Sequence, residues 1–197
     1  EIYSMAPDGS ALVNLSSNPA QDSAPAWSPD GSQIAFVSNR ENDANGGQFI
    51  YIMNADGSNV RQLTQEDNSS WPDWSHDGEY ITYTHSGDIY RIKADGSSEP
   101  INLTNSPEND EQSTWSPDGR KIAWLSGDRN GKDIFIMDTD GGNKQKLTDN
   151  AQAFDVIWTI DGELFSHWNH PEGKCEKCVM AADGSNARDA GGKGELQ

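Results

Sequence analysis

The chain repeats itself, and that repetition limits what it can fold into more than any other feature. Trp27-Ser28-Pro29-Asp30-Gly31 recurs as Trp74-Ser75-His76-Asp77-Gly78, as Trp115-Ser116-Pro117-Asp118-Gly119 and, more loosely, as Trp158-Thr159-Ile160-Asp161-Gly162. The tryptophans stand 47, 41 and 43 residues apart. A second motif interleaves with the first: Pro7-Asp8-Gly9-Ser10, Ala55-Asp56-Gly57-Ser58, Ala94-Asp95-Gly96-Ser97, Thr139-Asp140-Gly141-Gly142 and Ala182-Asp183-Gly184-Ser185. A period of this length marks one supersecondary unit used many times, either a propeller blade or a pair of helices in an array.

The stretches between the motifs decide for strands. Gln33-Ile34-Ala35-Phe36-Val37-Ser38, Phe49-Ile50-Tyr51-Ile52-Met53, Tyr80-Ile81-Thr82-Tyr83-Thr84, Ile122-Ala123-Trp124-Leu125 and Ile134-Phe135-Ile136-Met137 are short, β-branched and aromatic, and bounded by turn residues. Asp-Gly suits tight turns between strands, because glycine accepts positive φ without a steric cost. No window carries an apolar stripe of helical period with end caps. One unit reads as four strands: one ending at the Trp-Ser-Pro-Asp-Gly turn, the Ile-Ala-Phe-Val type, the Ile-Tyr-Ile-Met type, and a last one that ends in Leu-Thr, as at residues 60–64, 100–104 and 144–148. Four short antiparallel strands per period make a propeller blade. The expected organisation is a half blade over residues 1–18, blades over 19–64, 65–104, 105–148 and 149–190, and a tail over 191–197.

These residues resemble the TolB-like β-propeller repeat, a relative of the WD-repeat class. The family pattern runs roughly Asp-x-x-Pro-x-Trp-Ser-Pro-Asp-Gly, Ile-Ala-Phe, Ile-Tyr-x-Met-x-x-Asp-Gly, Leu-Thr, and Asp22-Ser23-Ala24-Pro25-Ala26-Trp27 onward follows it closely. The resemblance covers about residues 2–190. It implies an all-β fold of four-stranded blades in a six- to eight-bladed ring, of which this chain would be a part. The start at Glu1-Ile2-Tyr3-Ser4-Met5 matches the third strand of a blade, so a fragment of a longer protein is expected. Members of the family include a periplasmic envelope protein, propeller domains of peptidases and secreted proteins. An extracytoplasmic location is expected on that ground.

Composition narrows the partners. Lys and Arg number 14 against 32 Asp and Glu, a net charge of −18. Such a surface repels the phosphate backbone of a nucleic acid and attracts cations or basic protein surfaces. There is no run of about 18 apolar residues that would span a membrane. Mean hydropathy is −0.82, but seven Trp, five Tyr and five Phe supply large buried areas, which argues for a folded core.

Several groups are candidate sites. Asp22 and Asp110 each stand five residues before a repeat tryptophan; the resemblance places this position near the axial channel, where a carboxylate could cap backbone or hold a cation. Glu41-Asn42-Asp43-Ala44-Asn45-Gly46 sets the oxygens of Glu41, Asp43 and Asn45 at alternate positions before a glycine, the opening of a calcium loop. The bidentate acid expected at its twelfth position is replaced by Ile52. Asp128, Asn130 and Asp133 form a shorter candidate of the same kind. Cys175 and Cys178 follow His167 and His170. The set suits a disulfide across a hairpin, and less readily zinc held by all four residues. Trp27, Trp74, Trp115 and Trp158 are expected to pack between neighbouring blades.

No nucleophile elbow, phosphate loop or His-Glu-x-x-His motif is present. The expectation is a non-enzymatic propeller that binds other proteins, or copies of itself through an open edge blade, as an interaction or structural assembly module stiffened by calcium. The alternatives are a propeller domain gating substrate access in a larger hydrolase or lyase, and a carbohydrate-binding propeller.

Overall fold

The computed structural model of this chain describes residues 1–40, 47–128, 131–167 and 177–190. Strands are the regular elements there, in four four-stranded sheets and one two-stranded sheet. β1 (Tyr3–Ser4) and β2 (Val13–Asn14) form the two-stranded sheet. The first four-stranded sheet holds β3 (Asp22–Trp27), β4 (Gln33–Ser38), β5 (Phe49–Asn54) and β6 (Arg61–Gln62). The second holds β7 (Ser69–Trp74), β8 (Tyr80–His85), β9 (Asp88–Lys93) and β10 (Ile101–Asn102). The third holds β11 (Asn109–Trp115), β12 (Lys121–Asp128), β13 (Gly131–Asp138) and β14 (Gln145–Lys146). The fourth holds β15 (Ile157–Trp158), β16 (Leu164–His167), β17 (Lys177–Met180) and β18 (Arg188–Asp189). Each is a meander in chain order, the blade of a β-propeller. The fourth strands are only two residues long, shorter than the sequence pattern suggests. Short edges of this kind limit pairing with other chains.

The chain divides into two compact units. One comprises Glu1–Ser86 with Tyr90–Ile101, the other Gly87–Ile89 with Asn102–Gln197. In the first four-stranded sheet the middle strands are buried on both faces, so their sequence is a continuous apolar run and does not alternate. Ile34, Phe36, Tyr51 and Met53 pack with Ile2 and Leu15 on one side. Ala35, Val37, Ile50 and Ile52 pack on the other with Trp74, Ile81, Tyr83 and Ile92 of the second sheet. In the second unit Ala123, Leu125 and Ile134 meet Ala151, Val156, Leu164, Cys178 and Met180 in the same way.

Two of the repeat tryptophans tie sheets together. The Trp74 indole donates to the Ala26 carbonyl at 3.1 Å, and the Trp158 indole to the Thr114 carbonyl at 3.2 Å. In both cases the acceptor is the residue before the preceding repeat tryptophan. Trp115 is buried as well, but Trp27 is 51% exposed. The neighbour before its sheet is the two-stranded β1–β2, which does not cover it.

The Asp-Gly turns are closed by their own side chains. Asp30 accepts from the Ser28 hydroxyl at 2.6 Å and from the Ser32 amide at 3.0 Å. Asp77 and Asp118 repeat the first of these bonds with Ser75 and Ser116. Gly57 has a φ of +84°, and a Cβ there would stand 2.5 Å from the Leu15 carbonyl oxygen, so both conformation and space demand glycine.

Candidate functional site

Each first strand of the first three four-stranded sheets has the same irregularity. The ladder slips between Ser23 and Ala26, between Ser70 and Asp73, and between Glu111 and Thr114. The residues inside these bulges, Ala24, Trp71 and Gln112, have φ of 47°, 51° and 55°. A non-glycine residue in the left-handed region is uncommon and strained. Bulges re-aim side chains and recur beside functional sites. Here one backbone shape carries three unlike side chains, and Trp71 among them is 48% exposed.

Two residues before two of these bulges stand the candidate acids, Asp22 and Asp110. Both are buried and both pair in register with a serine, Asp22 with Ser38 and Asp110 with Ser126. Their surroundings then diverge. Arg40 Nη2 donates to Asp22 Oδ2 at 3.0 Å, and Arg40 Nε donates to the Ser38 hydroxyl at 2.9 Å. The guanidinium also lies over aromatic faces, its Cζ 4.8 Å from the Phe36 ring centre and 5.2 Å from that of Tyr51. Asp22 thus has a matched charge within its own sheet. Asp110 is 1% exposed, and neither of its carboxylate oxygens has a hydrogen-bond partner among the described residues. Burial raises its pKa above the ordinary carboxylate value; Ser126, Thr104 and Trp124 face it and pull the other way, and Asp88 adds to the rise. None of the three closes a hydrogen bond of normal geometry with it.

The remaining candidates fall as follows. Asp133 is engaged within its own sheet: it accepts from the Thr148 hydroxyl at 3.0 Å and the Ala151 amide at 2.9 Å, and Lys146 Nζ lies 3.0 Å from its other oxygen. Burial works against its charge, but the Ala151 amide, Lys146 and Thr148 outweigh that and hold the pKa below the ordinary value. Asp88 is held alike by Thr104, Ser106 and Asn102. Asp128 ends β12 and is exposed. His167 Nδ1 lies 2.6 Å from Asp155 Oδ2, and Cys178 is buried, paired in register with Ser166. Glu41, Asp43, Asn45, Asn130, His170 and Cys175 lie outside the described residues. Among the described residues no group of three or more His, Cys, Asp or Glu is placed to hold a metal ion, and no helix is long and apolar enough to cross a membrane.

Sequence reasoning singled out the acids and missed their company. The aromatic positions Phe36, Tyr83 and Trp124 each stand nine residues after a repeat tryptophan, and Arg40 stands thirteen after Trp27. Comparing the units with one another at those positions was the available signal.

The described residues also line grooves, among them the following pair. One, of about 460 Å³, lies between two turns and is lined by Ser28, Asp30, Gln33, His76 and Asp77. The other, of about 280 Å³, is lined by Pro117, Lys121, Trp158 and Ile160.

Comparison with known proteins agrees with the sheets and the repeat. Residues 1–88 match the family model described as the TolB beta propeller domain. A protein TolB homolog of Chlorobium luteolum is 33% identical over 145 residues, which is 72% of this chain and 32% of the relative. The chain therefore spans about a third of that relative's length. Among solved structures, TolB from Acinetobacter baumannii superposes with a TM-score of 0.75 at 22% identity, over 92% of this chain and 46% of that one. An oligogalacturonate lyase in complex with manganese superposes with a TM-score of 0.73 at 14% identity, over 95% of this chain and 58% of the lyase.

Proposed function

We propose that this chain, a run of TolB-like β-propeller repeats, is a protein-interaction module of an extracytoplasmic protein and performs no catalysis of its own. The observation that carries the reading is the repeated bulge. Three first strands hold the same left-handed backbone and present Ala24, Trp71 and Gln112. A common rigid frame with unlike side chains suits recognition, since the scaffold fixes position while the side chains set specificity. A half-exposed tryptophan is also the residue type most enriched at interaction hot spots. The relative from Chlorobium luteolum, named as a TolB homolog, supports the same reading. The net charge of −18 favours a partner with a basic surface.

Calcium in the loop of Glu41, Asp43 and Asn45, and a Cys175–Cys178 disulfide, belong to this proposal as stabilising devices. A second reading, a propeller domain of a larger lyase, draws on the likeness to the oligogalacturonate lyase.

A photo-crosslinking amino acid at position 71 tests the first reading in extracts of the source cell envelope. Protein adducts at 71, and none at the exposed Glu79, are expected. Adducts at neither position, or equal adducts at both, overturn it.

A further inference from the structure

Nine Asp-Gly pairs punctuate the chain, and eight of their carboxylates are bound within their own turns. Asp8, Asp56, Asp95 and Asp183 accept from the amide of the serine two residues on, and Asp140 accepts from that of Gly142. Asp30, Asp77 and Asp118 accept at 2.6 Å from the hydroxyl of the serine two residues before. Asp161 is the exception: no hydrogen bond or ion pair engages its carboxylate among the described residues. The cause is a shorter turn. Trp27, Trp74 and Trp115 pair in register with Ile34, Ile81 and Ile122, each seven residues on, but Trp158 pairs with Leu164, six residues on. The Glu163 amide then donates to the Thr159 hydroxyl at 3.1 Å and leaves Asp161 free.

The freed carboxylate stands on the groove of about 280 Å³, with Pro117, Asp118, Trp158, Ile160 and Ala182. Ile160 takes the turn position of His76 and is 93% exposed. The Trp158 indole N–H is committed to the Thr114 carbonyl, so the groove meets its ring. Lys121, which also lines the groove, is paired with Asp138. The groove of Asp30 and Asp77 differs on both counts: its two acids are engaged, and no indole and no aliphatic chain beyond Pro29 lines it. Asp128, His167, Lys177 and Ala190 border the residues outside the description. By register they stand at the ends of their sheets away from Lys121 and Leu164, and so away from the groove.

We infer that this groove takes one arginine side chain presented by a partner protein, its stem along Trp158, Ile160 and Pro117 and its guanidinium on the Asp161 carboxylate. The volume is just under the range of about 300–1,000 Å³ for small-molecule sites, and suits a single side chain. Apolar walls that end in a charge match a long basic side chain, which buries its stem and keeps its head at a polar group. Arginine is favoured over lysine because both Asp161 oxygens are free to accept a planar fork of N–H donors beside an aromatic ring, whereas an ammonium is a compact, strongly hydrated charge. The net charge of −18 draws such a partner in. The inference rests on the interaction-module reading for the source of the arginine, and on the groove alone for its chemistry.

The test is a titration of the chain labelled with ¹⁵N at its indoles, with the Trp158 resonance assigned by Trp158→Phe. The probes are acetyl-Gly-Arg-Gly-amide, its lysine analogue and its citrulline analogue, which keeps the planar shape without the charge, all at constant ionic strength. A saturable shift of the Trp158 indole is expected with the arginine peptide, and binding about threefold to fivefold weaker with the other two, the range for one partly exposed ion pair. Asp161→Asn should weaken the arginine peptide to the citrulline level and leave the melting temperature unchanged, since no turn hydrogen bond is lost. Ile160→Ser should weaken all three peptides. No saturable shift, equal affinity for the lysine or citrulline peptide, or unchanged affinity in Asp161→Asn overturns the inference. So does a Trp158 shift produced by Lys193→Ala without peptide, which would put the chain's own tail in the groove. Such a failure leaves crosslinking at position 71 unaffected, so the two proposals fail separately.

Discussion

The indole N–H of Trp74 crosses from the second four-stranded sheet to the first and donates to the carbonyl of Ala26 at 3.1 Å. The same side chain is buried among Ala35, Val37, Ile50 and Ile52. One residue therefore joins two sheets by packing and by a hydrogen bond. Trp74→Ala should destabilise the first unit by about 3–5 kcal/mol, the range for emptying a buried aromatic site. Trp27→Ala, at an exposed copy of the same position, should cost about 1 kcal/mol or less. Urea unfolding followed by circular dichroism measures both, and similar costs would refute the assigned difference.

Arg40 and Asp22 form a buried ion pair at 3.0 Å. Removing one partner leaves the other charge buried alone, so Arg40→Met should cost about 3–5 kcal/mol. Arg40→Met combined with Asp22→Asn should recover part of that loss. A double-mutant cycle by chemical denaturation reads the coupling, and strictly additive effects would count against the pair.

Acid should unfold the chain through its turns. The hydroxyl of Ser28 and the amide and hydroxyl of Ser32 hold Asp30 down to about 2 from an ordinary 3.8. Ser10, Ser58, Ser97, Ser116 and Ser185 hold Asp8, Asp56, Asp95, Asp118 and Asp183 down in the same direction. A depressed folded-state pKa contributes stability that is present above the unfolded pKa and lost as pH falls through the folded one. Melting temperature should therefore decline from about pH 4 toward pH 2. Asp110 has the opposite sign: its raised pKa makes the ionised form costly, and acidification relieves that cost. Carboxyl-carbon titration by NMR should place Asp30 near its low value in the native chain, and nearer the ordinary value in Ser28→Ala.

Gly57 and Gly9 share a left-handed backbone but not their surroundings. A Cβ at Gly57 would stand 2.5 Å from the Leu15 carbonyl oxygen, while nothing lies within 4 Å of one at Gly9. Gly9→Ala should cost about 1–2 kcal/mol, the conformational penalty alone. Gly57→Ala adds a backbone collision and should cost clearly more. Thermal melts of the two variants compare them directly.

Calcium and the disulfide each have a direct readout. With calcium bound to the native state, chelation should lower the melting temperature; an unchanged melt removes the ion from the account. With Cys175 and Cys178 bridged, reduction should raise the intact mass by about two units, the two thiol hydrogens regained.

The repeats made the blades legible. Strand pattern, turn chemistry and tryptophan spacing are local properties, and each four-stranded sheet is a local meander. The sequence alone determined the strands, their order within each sheet, and the Asx-closed turns, because all of these depend on residues a few positions apart. It also placed Asp22 and Asp110 at equivalent points in their units. What only the tertiary structure decided was their fate: Asp22 meets Arg40, 18 residues further along the chain, while Asp110 is buried with neither oxygen hydrogen-bonded among the described residues. The exposure of Trp27 against the burial of Trp74 was decided there too. Charge pairing and burial depend on what lies across a sheet or on its far side, which the residues next to a side chain in sequence do not reveal.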